Sequence, residues 1–384
     1  MRTLLLLAAF AAFAALAARA RAAEPRARDL GIPFDFGSPG PANTITDVPG
    51  VEVGHVTLVQ GESVRTGVTA VLPRGRGDDA RQPCFAGYYS LNGNGEMTGI
   101  AWLEESGLLE GPVLITNTNA VGVVRDAVIQ YAYRRWGGGE GWSDAIWSLP
   151  VVAETWDGSL NDIYGGHVKA EHAQQAIEAA RPGPVAEGAV GGGTGMICYE
   201  FKGGIGTASR RLDAAQGGYT VGVLVQANFG LRHQLRVAGV PVGQELREGA
   251  RRTADSGSII IVVATDAPLL PNQLQRLARR AALGLARTGS VAGNGSGDLF
   301  LAFSTANRRA ADGEGTVPLE MLPNGRMGAL FEATVGATEE AILNALVAGR
   351  TTTGRKGFTV MGLPHDRLVE LLRRYNRWQP PSGR

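Results

Sequence analysis

The chain has 384 residues, 37 of them basic and 36 acidic, for a formal net charge of +1. That balance gives no support for nucleic acid or a polybasic membrane surface as a partner. Its 55 glycines are about twice the usual share of roughly 7%; they follow no period and mix with Val, Leu and Ile, which excludes a collagen-like or flexible-linker chain and points to a sheet-rich globular protein with tight turns.

Met1-Arg2 is a short basic start, Leu4 to Ala18 is apolar without a charge, and Ala20-Arg21-Ala22 fits a small-x-small cleavage pattern. Residues 1–22 therefore read as a secretory signal peptide cut after Ala22, with an uncleaved anchor as the other reading. The run falls short of the roughly 20 apolar residues a membrane span needs, and no later segment is long and apolar enough. The expected mature chain, 23–384, is periplasmic or secreted and has no membrane partner. It forms one domain, because no internal repeat or disordered linker divides it.

Residues 23–42 are rich in Arg, Pro and Gly and read as an exposed arm. Asn43 to Val56 alternates in patches around Pro49-Gly50, as strand–turn–strand would. Strands are expected over Thr66–Leu72, over Gly111–Thr116 leading into a polar Asn117-Thr118-Asn119 loop, and over Ser148–Ala153. Helical spacing covers Val123–Trp136 and Ala170–Ala180, and Val190–Met196 is a glycine loop. Tyr219–Ala227 is a strong strand running into Asn228-Phe229-Gly230. Arg236–Arg252 is connecting sequence, exposed over Gln244–Arg252. The run Ile259-Ile260-Ile261-Val262-Val263-Ala264 reads as a buried strand with Gly257-Ser258 before it. Leu274–Arg287 has one apolar stripe, Gly293–Gly297 is a second glycine loop, and Leu299–Ser304 is a strand. Thr338–Ala348 and Asp366–Tyr375 close the chain as helices, with Asp366 as N-cap. Strands and helices mix throughout, so the class is α/β or α+β.

Cys84 and Cys198 could pair after export or stay as two buried thiols. His167 and His172 are five apart, off the spacing that shares a helix face. No metal and no cofactor is expected. Gly293-Asn294-Gly295-Ser296-Gly297-Asp298 lacks the Lys of a Walker loop and the spaced acids of a calcium loop. A strand follows it, so it is no dinucleotide fingerprint; it reads as a turn or as part of a site. Ser258 reads as a turn residue, or as a new N-terminus if the chain cuts itself before it. An N-terminal Ser joins nucleophile and amine base in one residue.

Several stretches resemble the self-processing L-aminopeptidase/D-esterase family, which includes the β-peptidyl aminopeptidases. They are Ser256–Ile260, Ala264–Leu269, the 274–287 helix with Thr288-Gly289, and Gly293–Asp298. Asn43–His55, Asn117-Thr118, Glu154–Asp162, Gly191–Met196, Lys202–Arg210, Thr351–Arg355 and Leu363–Asp366 are similar to that family too. The likeness spans nearly all of the mature chain, and its motifs stand in the family's order.

The resemblance implies a four-layer αββα sandwich like that of N-terminal-nucleophile hydrolases, with different strand connectivity. It implies a self-made cut between Gly257 and Ser258, giving an α-chain 23–257 and a β-chain 258–384, and a homo-oligomer of αβ units, usually four. It implies Ser258 as nucleophile, Ser296 and Asp298 as partners that relay or orient its proton, and Asn228 as oxyanion donor. Asp298 stands where some relatives carry Glu. Glu154 matches an acid that pairs with the substrate's free amine. Trp156 stands where the D-esterase branch has a Tyr, and an indole can donate but neither accept nor ionise. The expected activity is a serine aminopeptidase acting on short peptides, amides or esters. An endo-acting amidase on the same fold, or a non-catalytic exported binding protein, are the alternatives.

Overall fold

Two β-sheets lie face to face between two helical layers. The computed structural model describes residues 25–137, 147–254, 256–311 and 315–381, so the leader read over 1–22 lies outside the described residues. The first sheet runs β1 (Glu52–Gln60), β2 (Val64–Leu72), β5 (Val113–Asn117), β6 (Val151–Thr155). The second runs β4 (Leu108–Leu109), β3 (Cys84–Gly93), β12 (Gly297–Ser304), β11 (Ser258–Thr265), β10 (Thr220–Asn228), β9 (Gly204–Arg211). A separate two-stranded hairpin is made by β7 (Ile197–Cys198) and β8 (Phe201–Lys202).

Within the two large sheets neighbours are antiparallel except β5 with β6 and β11 with β12. Parallel neighbours need a crossover. Helix α1 (Val121–Trp136) lies between β5 and β6 in the chain, and helix α3 (Pro271–Arg287) lies between β11 and β12. Helices α1 and α2 (Ala170–Glu178) cover the outer face of the first sheet, and α3 and α4 (Gly328–Val347) cover that of the second. The result is the expected four-layer αββα sandwich.

Strand β11 shows why its sequence is apolar without alternation. Ile259, Ile261 and Val263 pack into the core under α3 and α4, while Ile260, Val262 and Ala264 pack against Val113, Ile115, Val151 and Ala153 of the opposing sheet. Both faces are dry, so both parities are apolar. Helix α3 starts with Pro271 in its first turn and buries Leu274, Leu277, Ala278, Ala281 and Leu285, the stripe read from its spacing.

Four readings change. The arm is packed down: Ala27 and Ile32 are buried, Arg26 pairs with Glu187 at 2.7 Å, and Arg28 pairs with Glu340 at 2.7 Å. Asn43–Asp47 holds a 3-10 turn over Ile45–Asp47 instead of a strand, because the Asp47 carboxylate accepts from the Thr44 N–H and closes the chain on itself. Helix α4 begins ten residues before the expected Thr338. It is buried nearly all round and so carries no stripe for periodicity to find. The last helix is His365–Arg374 with Pro364 as its cap; Asp366 lies in the first turn, where its charge meets the helix N-terminus.

Candidate active site

Three central strands of the second sheet meet at one end. Antiparallel register sets Asn228, the last residue of β10, opposite Ser258, the first of β11. Parallel register sets Gly297, the first of β12, opposite Ser258 on the other side. By the pleat, Asn228 shares a face with Leu224, and Ser258 with Ile260 and Val262, which is the face turned to the opposing sheet. Asn228 and Ser258 are both buried.

The Ser258 hydroxyl donates to the carbonyl oxygen of Gly257 at 2.8 Å. The Gly297 N–H donates to the same oxygen at 3.2 Å. Gly257 is a steric necessity: a Cβ there would stand 2.2 Å from the Asn228 carbonyl oxygen and 2.4 Å from Phe229 Cα.

The Ser296 hydroxyl donates to Asp298 Oδ1 at 2.7 Å, and both residues are buried. Asp298 pairs with Ile259 in the parallel register, so the pleat puts it on the face opposite to the Ser258 hydroxyl. The pair thus flanks the start of β11 from the helix-covered side. Its loop is pinned by two asparagines at the end of β3: Asn92 Nδ2 donates to the Gly293 carbonyl at 2.6 Å and Asn94 Nδ2 to the Gly295 carbonyl at 2.8 Å. Sequence reasoning missed both, although the run Asn92-Gly93-Asn94-Gly95 was a visible turn signal.

Asn228 is held at both ends of its amide. Oδ1 accepts from the Ile197 N–H at 2.8 Å and Nδ2 donates to the Trp156 carbonyl at 2.9 Å. Trp156 is 43% exposed, and its ring lies over Gly158. Its backbone, not its indole, touches the Asn228 amide.

Glu154 sits on β6 and is buried. Its Oε2 accepts from the Thr118 hydroxyl and its Oε1 from the Glu96 N–H at 3.0 Å. Burial pushes its pKa above the usual carboxylate range, against the pull of those two hydrogen bonds. A Cβ on Gly95 would stand 3.3 Å from Glu154 Oε1 and 3.3 Å from Gly297 Cα. Gly95 therefore sits between the carboxylate and Gly297, where a side chain would crowd both. Thr118 and Glu96 as partners of Glu154 were not read from sequence; only the Asn117-Thr118 patch pointed there.

Behind Trp156, Asp157 is buried and accepts from Asn161 Nδ2 at 3.0 Å. Burial raises its pKa to about 7, so it holds a proton well above the range of an ordinary Asp. Cys84 and Cys198 are buried in different cores and form no disulfide with each other. Among the described residues no group of three or more His, Cys, Asp or Glu is placed to hold a metal ion.

The model of peptidase family S58 matches residues 43–360. The chain is 54% identical over 383 residues to a β-peptidyl aminopeptidase BapA of Sphingosinicella microcystinivorans, covering 93% of this chain and 94% of that one. It is 46% identical to a β-peptidyl aminopeptidase BapA of Sphingosinicella xenopeptidilytica, covering 92% of each. Among solved structures, a β-aminopeptidase of Burkholderia sp. superposes with a TM-score of 0.86 at 52% identity, covering 93% of this chain and 100% of that one. The L-aminopeptidase D-Ala-esterase/amidase of Ochrobactrum anthropi, a variant of the Ntn hydrolase fold, superposes with a TM-score of 0.87 at 45% identity and the same coverage.

Proposed function

The chain belongs to peptidase family S58 and is a hydrolase of the aminopeptidase kind, and from that premise we propose that it is a self-processing serine enzyme that removes N-terminal residues from short peptides, amides or esters. The observation that carries this reading is the Gly257 carbonyl. Its oxygen takes hydrogen bonds from the Ser258 hydroxyl and the Gly297 N–H, so the nucleophile and a polarising donor already stand at the bond to be cut.

In the self-cleaving step Ser258 Oγ attacks the Gly257 carbonyl carbon. The Gly257–Ser258 C–N bond breaks, and the hydroxyl proton passes to the leaving nitrogen. Water then hydrolyses the resulting ester, leaving a Gly257 carboxylate, the Ser258 hydroxyl and a free Ser258 amine. That amine titrates near neutrality and serves as base when the same hydroxyl attacks a substrate carbonyl. The acyl-enzyme is again released by water.

An amide carries two N–H donors. With one spent on the Trp156 carbonyl, the second Asn228 N–H is the donor we assign to the substrate oxyanion. The Ser296–Asp298 pair lies on the backbone side of Ser258 and so is suited to steer its amine. Glu154, beside Gly95, takes the substrate's ammonium group, because a buried carboxylate favours a cation partner. This gives the preference for a free N-terminus. Export through residues 1–22, and assembly of several αβ units, belong to the same proposal.

Intact-mass measurement tests it. A purified active preparation should hold two chains, the smaller beginning at Ser258. Activity from a single uncut chain would sink the mechanism. A panel of p-nitroanilides of L-, D- and β-amino acids then ranks substrates, with β-residues expected first given the β-peptidyl relatives.

A further inference from the structure

The segment that leads to the scissile bond is gripped by two residues that the mechanism does not use. Tyr199 and Glu200 form the two-residue turn between β7 and β8, with φ of 49° and 60°. Such turns favour Asn-Gly because both positions are left-handed; a Tyr-Glu pair is a strained choice. Strain of this kind persists where the surroundings over-determine it and gathers at functional sites.

The surroundings here are a reciprocal pair. Arg232 is buried, and its guanidinium donates to four carbonyls: Tyr199 at 2.9 Å, Glu200 at 2.7 Å, Leu246 at 2.9 Å and Glu248 at 2.8 Å. It also lies over the Phe201 ring, 3.4 Å from the centroid. The Glu200 carboxylate accepts from three backbone N–H groups: Arg232 at 3.0 Å, Arg251 at 2.5 Å and Arg252 at 2.8 Å. Against the effect of burial, these bonds and the Arg232 charge hold the Glu200 carboxyl below its usual range, so it stays ionised. A planar five-donor guanidinium and a carboxylate taking three amides are both unusually well satisfied.

Both halves of the grip connect to the Asn228 end of the site. Ile197, which donates to Asn228, lies three residues before Glu200, and Arg232 lies four residues after Asn228. The Tyr199 N–H donates to the Phe229 carbonyl at 2.6 Å. The grip and the row of Asn228, Ser258 and Gly297 are therefore built on shared backbone.

Downstream, five residues, Thr253 to Gly257, separate the last gripped amide from Ser258. That length reaches at most about 20 Å when extended. We propose that Glu200 and Arg232 are a processing clamp: they hold residues 246–252 so that the Gly257 carbonyl is presented to the Ser258 hydroxyl, and they keep the new end of the α-chain tethered beside the site after the cut. Both are positioning residues, acting on the leader and not on the reacting atoms.

The inference rests on the self-cleaving reading above, and the test separates the two. The full-length chain is followed by intact mass from synthesis onward, as wild type, Glu200→Gln, Glu200→Gly and Arg232→Lys. Glu200→Gly removes the carboxylate while suiting the left-handed turn, so it guards against a folding artefact. Processing should slow by about tenfold or more in each variant, while material that has finished processing keeps wild-type kcat. Wild-type processing rates in the Glu200 variants would overturn the clamp, and so would equal losses of processing and kcat. A wild-type chain that is never cut would overturn the self-cleaving reading, and the clamp with it.

Discussion

Asn228 is oriented by the backbone of Trp156: its Nδ2 donates to the Trp156 carbonyl at 2.9 Å while Ile197 holds its Oδ1. The amide cannot flip without setting donor against donor at Ile197 and acceptor against acceptor at Trp156. One N–H is thereby fixed toward Trp156, and the direction of the other follows.

Asn228→Ala should lower kcat by roughly 10²–10³, the loss typical of one oxyanion donor, with little change in KM. It should also cost about 1–3 kcal/mol of stability, because the buried Ile197 N–H loses its acceptor. Steady-state kinetics and urea unfolding check the two effects separately. Trp156→Phe keeps the carbonyl and should retain most of kcat.

Gly257→Ala should stop the chain from processing even though Ser258 is intact. A methyl group at 2.2 Å from the Asn228 carbonyl oxygen forces the backbone away from its place, and displacements of about 1 Å can cost on the order of 10²-fold in rate. A gel time course of the variant, with Ser258→Ala as the uncut reference, gives the readout. Processing at the wild-type rate would show that the close approach is not needed.

Thr118→Val tests the proposed amine site through pH. Burial holds the Glu154 pKa up, and the Thr118 hydroxyl pulls it back down. Removing that hydroxyl should raise the pKa further, so the acid limb of kcat/KM for free-amine substrates moves to higher pH. Glu154→Gln should raise KM for the same substrates and leave N-acylated esters nearly unaffected. Equal effects on both substrate classes would remove amine recognition from Glu154.

Asp157 should make the protein less stable as pH rises. Its pKa goes from 3.8 to about 7 on folding, so between those values the native state binds more protons than the unfolded chain. Stability then falls as pH climbs through that window and levels off above it. Asp157→Asn should flatten this slope, seen as a stability gain over wild type that grows from about pH 4 to about pH 7 in urea titrations.

The parts legible in the sequence were those with local causes. Ser258 could be found because β11 is dry on both faces and prints an unbroken apolar run after a small dipeptide. The stripe of α3 was legible for the same kind of reason. What escaped depends on pairing across distance. Arg28 looked like part of a solvated arm because its partner, Glu340, is 312 residues away. The glycines and threonines of α4, Gly328, Thr334, Gly336 and Thr338, weaken its helical signal, and burial all round erases the stripe. The family resemblance supplied Asn228 and Glu154. It did not supply three of their holders, the Trp156 carbonyl and the Ile197 and Glu96 N–H groups, because a backbone donor or acceptor leaves no mark in side-chain identity; Thr118, which holds Glu154 through its hydroxyl, lay in the Asn117-Thr118 patch.

The strand order of the second sheet carries a last consequence. A cut before Ser258 would give β11 and β12 to one fragment and leave β3 and β4 on one side of them, β10 and β9 on the other, to the second fragment. The smaller piece would insert its two strands with partners on both edges, and could not leave without opening the sheet. Synthesis of the whole would be a one-way affair. The uncut chain folds as a single molecule, but once nicked and denatured it would have to reassemble from two, at a rate set by protein concentration. Regain of secondary structure after unfolding should therefore be rapid and dilution-insensitive for Ser258→Ala, and slow and dilution-sensitive for enzyme cut before Ser258.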